Sequence, residues 1–143
     1  MEEHLPFFVY GTLKRGEVRE RCWPHPASDI VAATTRGALY ALASYPALLP
    51  GDDAVSGELW FIRASHMAET LRVLDAIEGF RQGDDIDLYV RDIADCVSTD
   101  GAKYRAYLYY YVQPVEPSQR IAPNDQNVCL WTASQNARGR KSI

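Results

Sequence analysis

The chain has 143 residues, of which 47% are hydrophobic and 24% charged, a size and composition typical of one globular domain and not of a disordered chain. Its net charge of −4 and its short, scattered basic segments argue against nucleic acid as a partner. No segment approaches the run of about 20 apolar residues that a membrane-spanning helix needs, so we expect no membrane association and a cytoplasmic location.

Five segments have the composition of β-strands. The first is a short apolar and aromatic run that Gly11 ends, and the last alternates its residues as a pleated surface with two different faces does. The predicted strands cover residues 7–10, 36–42, 55–62, 88–97 and 104–112. Residues 18–28 are expected to be irregular, and the prolines and glycine of residues 43–53 predict a loop and turn.

One helix is clear between the third and fourth predicted strands. Ser65 is a suitable N-cap for residues 66–79 (HMAETLRVLDAIEG), and Gly79 stands where a C-cap glycine ends a helix. Several strands with one good helix predict a single α+β domain over residues 1–143, with residues 114–143 as a variable C-terminal segment. We expect residues 133–143 to be a loosely held tail and Trp131 to be an anchor to the core.

Glu78 is the most informative residue of this helix. At about 100° per residue it follows Leu71 and Leu74 on the apolar stripe, whereas Asp75 lies toward the edge of that stripe. A buried carboxylate has a raised pKa unless a cation or donors compensate, so such a group can exchange protons near neutral pH. The alternative is that Glu78 lies where the last turn frays into solvent.

Other sequence signals of catalysis are sparse. Cys22, Cys96 and Cys129 are widely spaced and odd in number, and the histidines lack ligand spacing, so we expect no disulfide framework and no metal. The chain also lacks the GxSxG, GxxxxGK[ST] and GxGxxG patterns of common nucleophile and nucleotide sites. Any chemistry must therefore proceed without a familiar nucleophile, metal or cofactor.

Five segments, in register, resemble the gamma-glutamylcyclotransferase superfamily, most closely its small gamma-glutamylamine cyclotransferase-like proteins. They are residues 10–13 (YGTL), 45–51 (YPALLPG), 55–60 (VSGELW), 74–79 (LDAIEG) and the pair Tyr89-x-Arg91. The resemblance implies a small mixed β-barrel with flanking helices. It also implies an enzyme, an amide-cyclising lyase formerly classed as an acyltransferase, that converts a small gamma-glutamyl amine or peptide into 5-oxoproline and a free amine.

The resemblance also implies roles for individual residues. Glu78 matches the family's acid/base glutamate, and Tyr89 matches an aromatic position of the same pocket. The loop that holds the glutamyl group through backbone N–H groups is matched by Tyr10, Gly11, Thr12 and Leu13. The alternative is a non-catalytic module of the same fold that binds a small metabolite or a partner protein. The amine released and the oligomeric state stay open.

Three smaller expectations concern charged and aromatic residues outside these segments. Lys14, Arg15 and Glu17 are expected to form a solvated face. Tyr107, Tyr109 and Tyr111 are expected to pack and hydrogen-bond rather than contact a ligand. The acidic residues of segment 81–87 would favour a cationic leaving group if they lie at the mouth of the pocket, although such residues are usually solvated.

Overall fold

The computed structural model of the protein describes residues 5–43, 45–79 and 88–133. Five strands form a closed barrel in the order β1-β3-β2-β4-β5. The strands are β1 (Phe7–Val9), β2 (Asp29–Ala41), β3 (Pro46–Phe61), β4 (Tyr89–Ser98) and β5 (Lys103–Tyr111). The pairs are antiparallel except for β1 with β5, which closes the barrel in parallel at Phe7 and Tyr107. The expected small mixed barrel of an α+β domain is confirmed.

The β2–β3 hairpin is longer than the sequence predicted. Strand β2 begins at Asp29, and β3 begins at Pro46, within the segment that was predicted to be a loop. The pairing shifts register between Gly37, which faces Asp53, and Ala38, which faces Leu49. Residues 50–52 therefore form a bulge. The prediction of a loop over residues 43–53 was wrong because proline and glycine also occupy strand starts and bulges, where no ladder N–H is required.

Helix α1 covers Met67–Glu78 and is the one α-helix in the described residues. It begins after a 3₁₀ turn at Ala64–His66, so the N-cap is His66 and the prediction of Ser65 was wrong. Gly79 ends the helix in the left-handed conformation, with φ of 69°, and its N–H donates to Ala76 and Asp75 carbonyls. The predicted C-cap glycine is confirmed, and it stops the helix directly after Glu78.

The core has two clusters. Phe7 and Phe8 are neighbours in β1 and point to opposite faces of the barrel wall, so each belongs to a different cluster. The cluster around Phe7 includes Leu74 of α1 and therefore packs the helix onto the barrel. The cluster around Phe8 includes Trp131, whose side chain is 2% exposed. Both clusters bury large apolar side chains, the dominant favourable term in folding.

The C-terminal segment packs against the barrel. Cys129 pairs with Val55 in a parallel bridge, its N–H donating to the Ala54 carbonyl at 2.8 Å. Lys14 is buried and its Nζ donates to the Trp131 carbonyl at 2.7 Å. The expectation that Lys14 lies on a solvated face was therefore wrong, because a carbonyl oxygen and nearby carboxylates compensate its burial. Desolvation lowers the pKa of Lys14, while Glu17 and Glu58 oppose the effect.

Some expectations fall outside the described residues, namely the acidic segment 81–87 and, from residue 134, the C-terminal tail. Cys22, Cys96 and Cys129 are free thiols. The described ranges contain no group of three or more histidine, cysteine or acidic residues that could hold a metal ion. Within the same ranges, no helix has the length and apolar character needed to cross a bilayer.

Candidate active site

A cavity of ≈ 230 Å³ lies where the loop after β1, the start of β3, the end of α1 and the start of β4 meet. This volume is below the roughly 300–1,000 Å³ of pockets for drug-sized ligands, so it suits a group of amino-acid size. All six candidate residues line it. Among the residues that the structure describes, the lining consists of Phe8, Val9, Tyr10, Gly11, Thr12, Leu13, Arg19, Tyr45, Pro46, Ile77, Glu78, Leu88, Tyr89 and Tyr109.

The carbonyl groups of the loop after β1 accept hydrogen bonds from other groups of the protein. The Gly11 carbonyl accepts from the Lys14 N–H at 3.1 Å, and the Thr12 carbonyl from the Arg19 N–H at 2.8 Å. The Leu13 carbonyl accepts from Trp23 Nε1 at 3.0 Å. Within the described part of the chain, the N–H groups of residues 11–13 donate to no protein acceptor. The loop therefore lines the cavity with fixed backbone and unused donors.

Gly11 is required by the close approach of this loop to β3. A Cβ atom at Gly11 would lie 2.5 Å from Cγ and 2.7 Å from Cδ of Pro46. Non-bonded carbon atoms do not approach this closely, so a side chain at Gly11 would displace the loop or the start of β3. Because Pro46 also lines the cavity, glycine here sets the width of the site.

Glu78 reaches the cavity from the last residue of α1. It retains some accessible surface because it lines a cavity, but its carboxyl group is largely buried. Burial raises the pKa of Glu78 to about 7, and the positive charge of Arg19 opposes this rise. At neutral pH the carboxyl group is therefore present in both protonation states.

The tyrosine hydroxyl groups of the site have protein partners. Tyr10 donates to the Tyr109 carbonyl, and Tyr89 donates to the Pro46 carbonyl at 2.8 Å. Burial raises the pKa of Tyr10 and of Tyr89, and the nearby Glu78 charge adds to both shifts. Both phenols therefore stay neutral and form part of a rigid wall.

Asp75 fixes the helix behind the cavity. It is buried, and its carboxylate accepts hydrogen bonds from the Tyr109 hydroxyl at 2.6 Å and from the Arg91 guanidinium. The sequence predicted that Asp75 lies toward the edge of the apolar face, but the residue is buried. Its burial is possible because Arg91 and Tyr109, which are distant in sequence, compensate the charge. Tyr109 packs and hydrogen-bonds as expected, and it also lines the cavity.

Arg19, Tyr45 and Tyr109 line the site but were not among the candidates. Tyr45 belongs to one of the segments that resemble the superfamily, which was an available signal. Tyr109 has the alternation of an ordinary strand residue, and Arg19 lies in a stretch that was expected to be irregular. Nothing in the local sequence marks either residue, since only the fold brings them to the end of α1.

Solved structures with this fold come from several organisms. The solution structure of an Arabidopsis thaliana protein aligns with a TM-score of 0.60 and 22% identity, covering 96% of this chain and 83% of that one. YkqA from Bacillus subtilis aligns with a TM-score of 0.62 and 19% identity, covering 99% of this chain and 44% of that one. At these identities the likeness concerns the fold alone.

A structure described as a gamma-glutamyl cyclotransferase aligns with a TM-score of 0.51 and 16% identity, covering 82% of this chain and 74% of that one. No curated protein matches the chain significantly. The sequence profile of the family described as "Gamma-glutamyl cyclotransferase, AIG2-like" matches residues 7–132, which include all four parts of the cavity wall. The chain therefore belongs to the gamma-glutamyl cyclotransferase, AIG2-like family.

Proposed function

We propose that the protein is a gamma-glutamyl cyclotransferase that releases 5-oxoproline and an amine from a small gamma-glutamyl amine or peptide. The observation that carries the proposal is the position of Glu78, whose pKa is raised to about 7, in the same cavity as the loop of residues 10–13. Family membership favours the same reaction class. The cavity size fits the glutamyl part of such a substrate.

The reaction is intramolecular, which explains why no protein nucleophile is needed. The α-nitrogen of the substrate attacks its own γ-carbonyl carbon, and the bond from that carbon to the leaving nitrogen breaks. Because both reacting groups belong to one molecule, the enzyme's main task is to hold the substrate in a five-membered arrangement. Groups held in this way can react with effective molarities of roughly 10⁵–10⁸ M.

Glu78 would carry the protons. The attacking nitrogen starts as an ammonium and ends as a lactam N–H, so it loses two protons, while the leaving amide nitrogen gains two and departs as an ammonium. An ionised Glu78 accepts each proton from the attacking nitrogen and returns it to the leaving nitrogen. A pKa of about 7 suits both transfers at neutral pH.

The loop after β1 would stabilise the charge that develops on the γ-carbonyl oxygen. The N–H groups of residues 11–13 have no acceptor in the described part of the protein, and the loop's carbonyls are held elsewhere. Donors fixed in this way need no reorganisation when the oxyanion forms. Tyr10 and Tyr89 would pack against the glutamyl chain, because their hydroxyl groups are already bonded to carbonyls.

The direct test is 5-oxoproline release from a panel of gamma-glutamyl amines and dipeptides. Glu78→Gln keeps the size of the side chain but removes the titrating group, and we expect it to lower kcat by about 10²–10⁴-fold, the usual contribution of general acid–base catalysis. Glu69→Gln is the matched control, since Glu69 lies on the same helix, is exposed, and contacts His25 outside the cavity. We expect that control to keep full activity.

Two results would contradict parts of the proposal. Full turnover by Glu78→Gln would remove Glu78 as the proton carrier while leaving the reaction in place. No turnover by the unaltered protein on any panel member would favour the alternative, a binding module that retains the cavity.

A further inference from the structure

Arg19 is the second charged side chain of the cavity, and none of the proposed steps uses it. It lines the cavity together with Glu78 and is partly buried. Within the described ranges, its guanidinium donates no hydrogen bond and forms no ion pair with a carboxylate. A partly desolvated guanidinium without such a partner has five donors available for an anionic ligand.

The backbone at Arg19 is held by hydrogen bonds, which fix the point from which its side chain extends. The Arg19 N–H donates to the Thr12 carbonyl at 2.8 Å, and its own carbonyl accepts from the Cys22 N–H at 2.9 Å. Trp23, just beyond, stacks on Trp60 with ring centroids 4.3 Å apart and planes 3° from parallel. These contacts tie residues 19–23 to both the barrel and the loop.

The charges of the cavity match those of an amino-acid head group. Of the lining residues that the structure describes, only Arg19 and Glu78 carry side chains that are charged near neutral pH, and they have opposite signs. The glutamyl end of the substrate carries an ammonium and a carboxylate on the same carbon atom. Glu78 is required beside the nitrogen for proton transfer, so the carboxylate must lie beside other groups of the same small cavity.

We propose that Arg19 binds the α-carboxylate of the glutamyl group and thereby restricts the enzyme to substrates in which this carboxylate is free. The inference rests on the proposed function. A guanidinium–carboxylate contact would fix the orientation of the α-carbon and so direct the neighbouring nitrogen toward the γ-carbonyl. The selectivity then concerns the glutamyl end, and the amine released is set by other parts of the site.

The test compares two substrates that differ only at the α-carboxylate, gamma-glutamyl-ethylamide and its α-carboxamide analogue. For Arg19→Gln we expect kcat/KM on the first to fall by about 10- to 100-fold, the range of a hydrogen bond to a charged group, and kcat/KM on the second to stay unchanged. Arg19→Lys should recover part of the loss. Arg15→Gln, which removes a neighbouring exposed charge outside the cavity, is the matched control.

A third substrate, gamma-glutamyl-alanine, separates the two carboxylates that Arg19 could meet. An Arg19→Gln loss confined to this substrate would place Arg19 beside the leaving group and overturn the proposal, as would equal losses on the α-carboxylate and the α-carboxamide. Assays should be run on the pH-independent plateau above the Glu78 limb of each protein, where a change in the pKa of Glu78 has little effect on rate.

Product binding gives a readout that does not depend on turnover. The affinity for 5-oxoproline, which keeps the carboxylate, should fall in Arg19→Gln, whereas 2-pyrrolidinone, which lacks it, should bind both proteins equally. If the unaltered protein turns over no substrate, the proposed function fails, and this titration still decides the role of Arg19. Equal 5-oxoproline affinity in the two proteins, or none in the unaltered protein, would overturn that role.

Discussion

At the scale of single residues, Glu78 makes the fold less stable once it ionises. Burial raises its pKa from 4.5 to about 7, so the folded state binds the proton more tightly than the unfolded state does. Its contribution to stability is fully present below about pH 4.5 and is lost as the pH rises through 7. A shift of this size corresponds to about 3 kcal/mol.

Glu78→Gln should therefore be more stable than the unaltered protein at pH 8, by about 2–3 kcal/mol, and nearly equal to it at pH 4.5. Urea unfolding at the two pH values measures this difference. Glu69→Gln, on the exposed side of the helix, should follow the unaltered protein at both. A Glu78→Gln protein with an unchanged pH dependence would show that the carboxyl group is not desolvated. A gain of this size would mean that the buried acid costs the fold stability at pH 8.

The pH dependence of the rate tests the role of Glu78 in catalysis. Only ionised Glu78 can accept a proton, so kcat/KM should rise as the pH increases through about 7. This rising limb of the profile reports the pKa of Glu78 in the free enzyme. Arg19 lowers the pKa of Glu78, so Arg19→Gln should move this limb to higher pH. Arg15→Gln should leave it in place. A limb that does not respond to Arg19→Gln would mean that another group titrates.

At the scale of elements, the position of α1 depends on Asp75. Its carboxylate accepts from Tyr109 on β5 and from Arg91 on β4, so two strands hold one turn of the helix. Asp75→Ala would leave the Arg91 charge partly buried without this carboxylate. We expect a loss of about 2–4 kcal/mol in the free energy of unfolding, measured in urea at pH 7, and a lower kcat because Glu78 follows one turn later.

The exposed ion pair between Arg120 and Asp53 provides the comparison. Its side chains are 51% and 21% exposed, and their N–O distance is 2.6 Å. Arg120→Gln should cost less than about 1 kcal/mol, because solvent screens exposed pairs. Equal losses for Asp75→Ala and Arg120→Gln would contradict the view that Asp75 anchors the helix.

Local signals allowed the helix side of the site to be predicted from the sequence. The apolar stripe leading to Glu78 and the glycine after it depend only on residues within the short stretch 71–79. The start of β3 could not be predicted, because Pro46 and Gly51 are also typical of loops, and only pairing with β2 shows that they belong to a bulged strand. Arg19 was missed because its place depends on contacts with Thr12 and on the packing of Trp23.

At the scale of the whole molecule, the C-terminal segment lies outside the strand order of the barrel and bonds to β2 and β3. The Ile121 N–H donates to the Leu39 carbonyl, and Cys129 exchanges backbone hydrogen bonds with residues 54 and 56, each at 2.8 Å. Trp131 then fills the cluster around Phe8, and its carbonyl accepts from Lys14. Lys14 directly follows the loop of the candidate site in sequence, so its bond to Trp131 links the C-terminal segment to that loop. Residues near the two ends of the described chain thus depend on each other.

Trp131 therefore contributes to the stability of the whole domain. Trp131→Ala should cost about 3–5 kcal/mol, because it leaves a cavity in a packed core, whereas Trp131→Phe should cost far less. The smaller cost follows because Trp131 Nε1 is buried and has no hydrogen-bond partner in the described residues, so removing it loses no bond. Urea unfolding measures both variants, with Asp125→Ala on the exposed part of the same segment as the control. A Trp131→Ala loss as small as that of Asp125→Ala would mean that the segment lies on the barrel without supporting it.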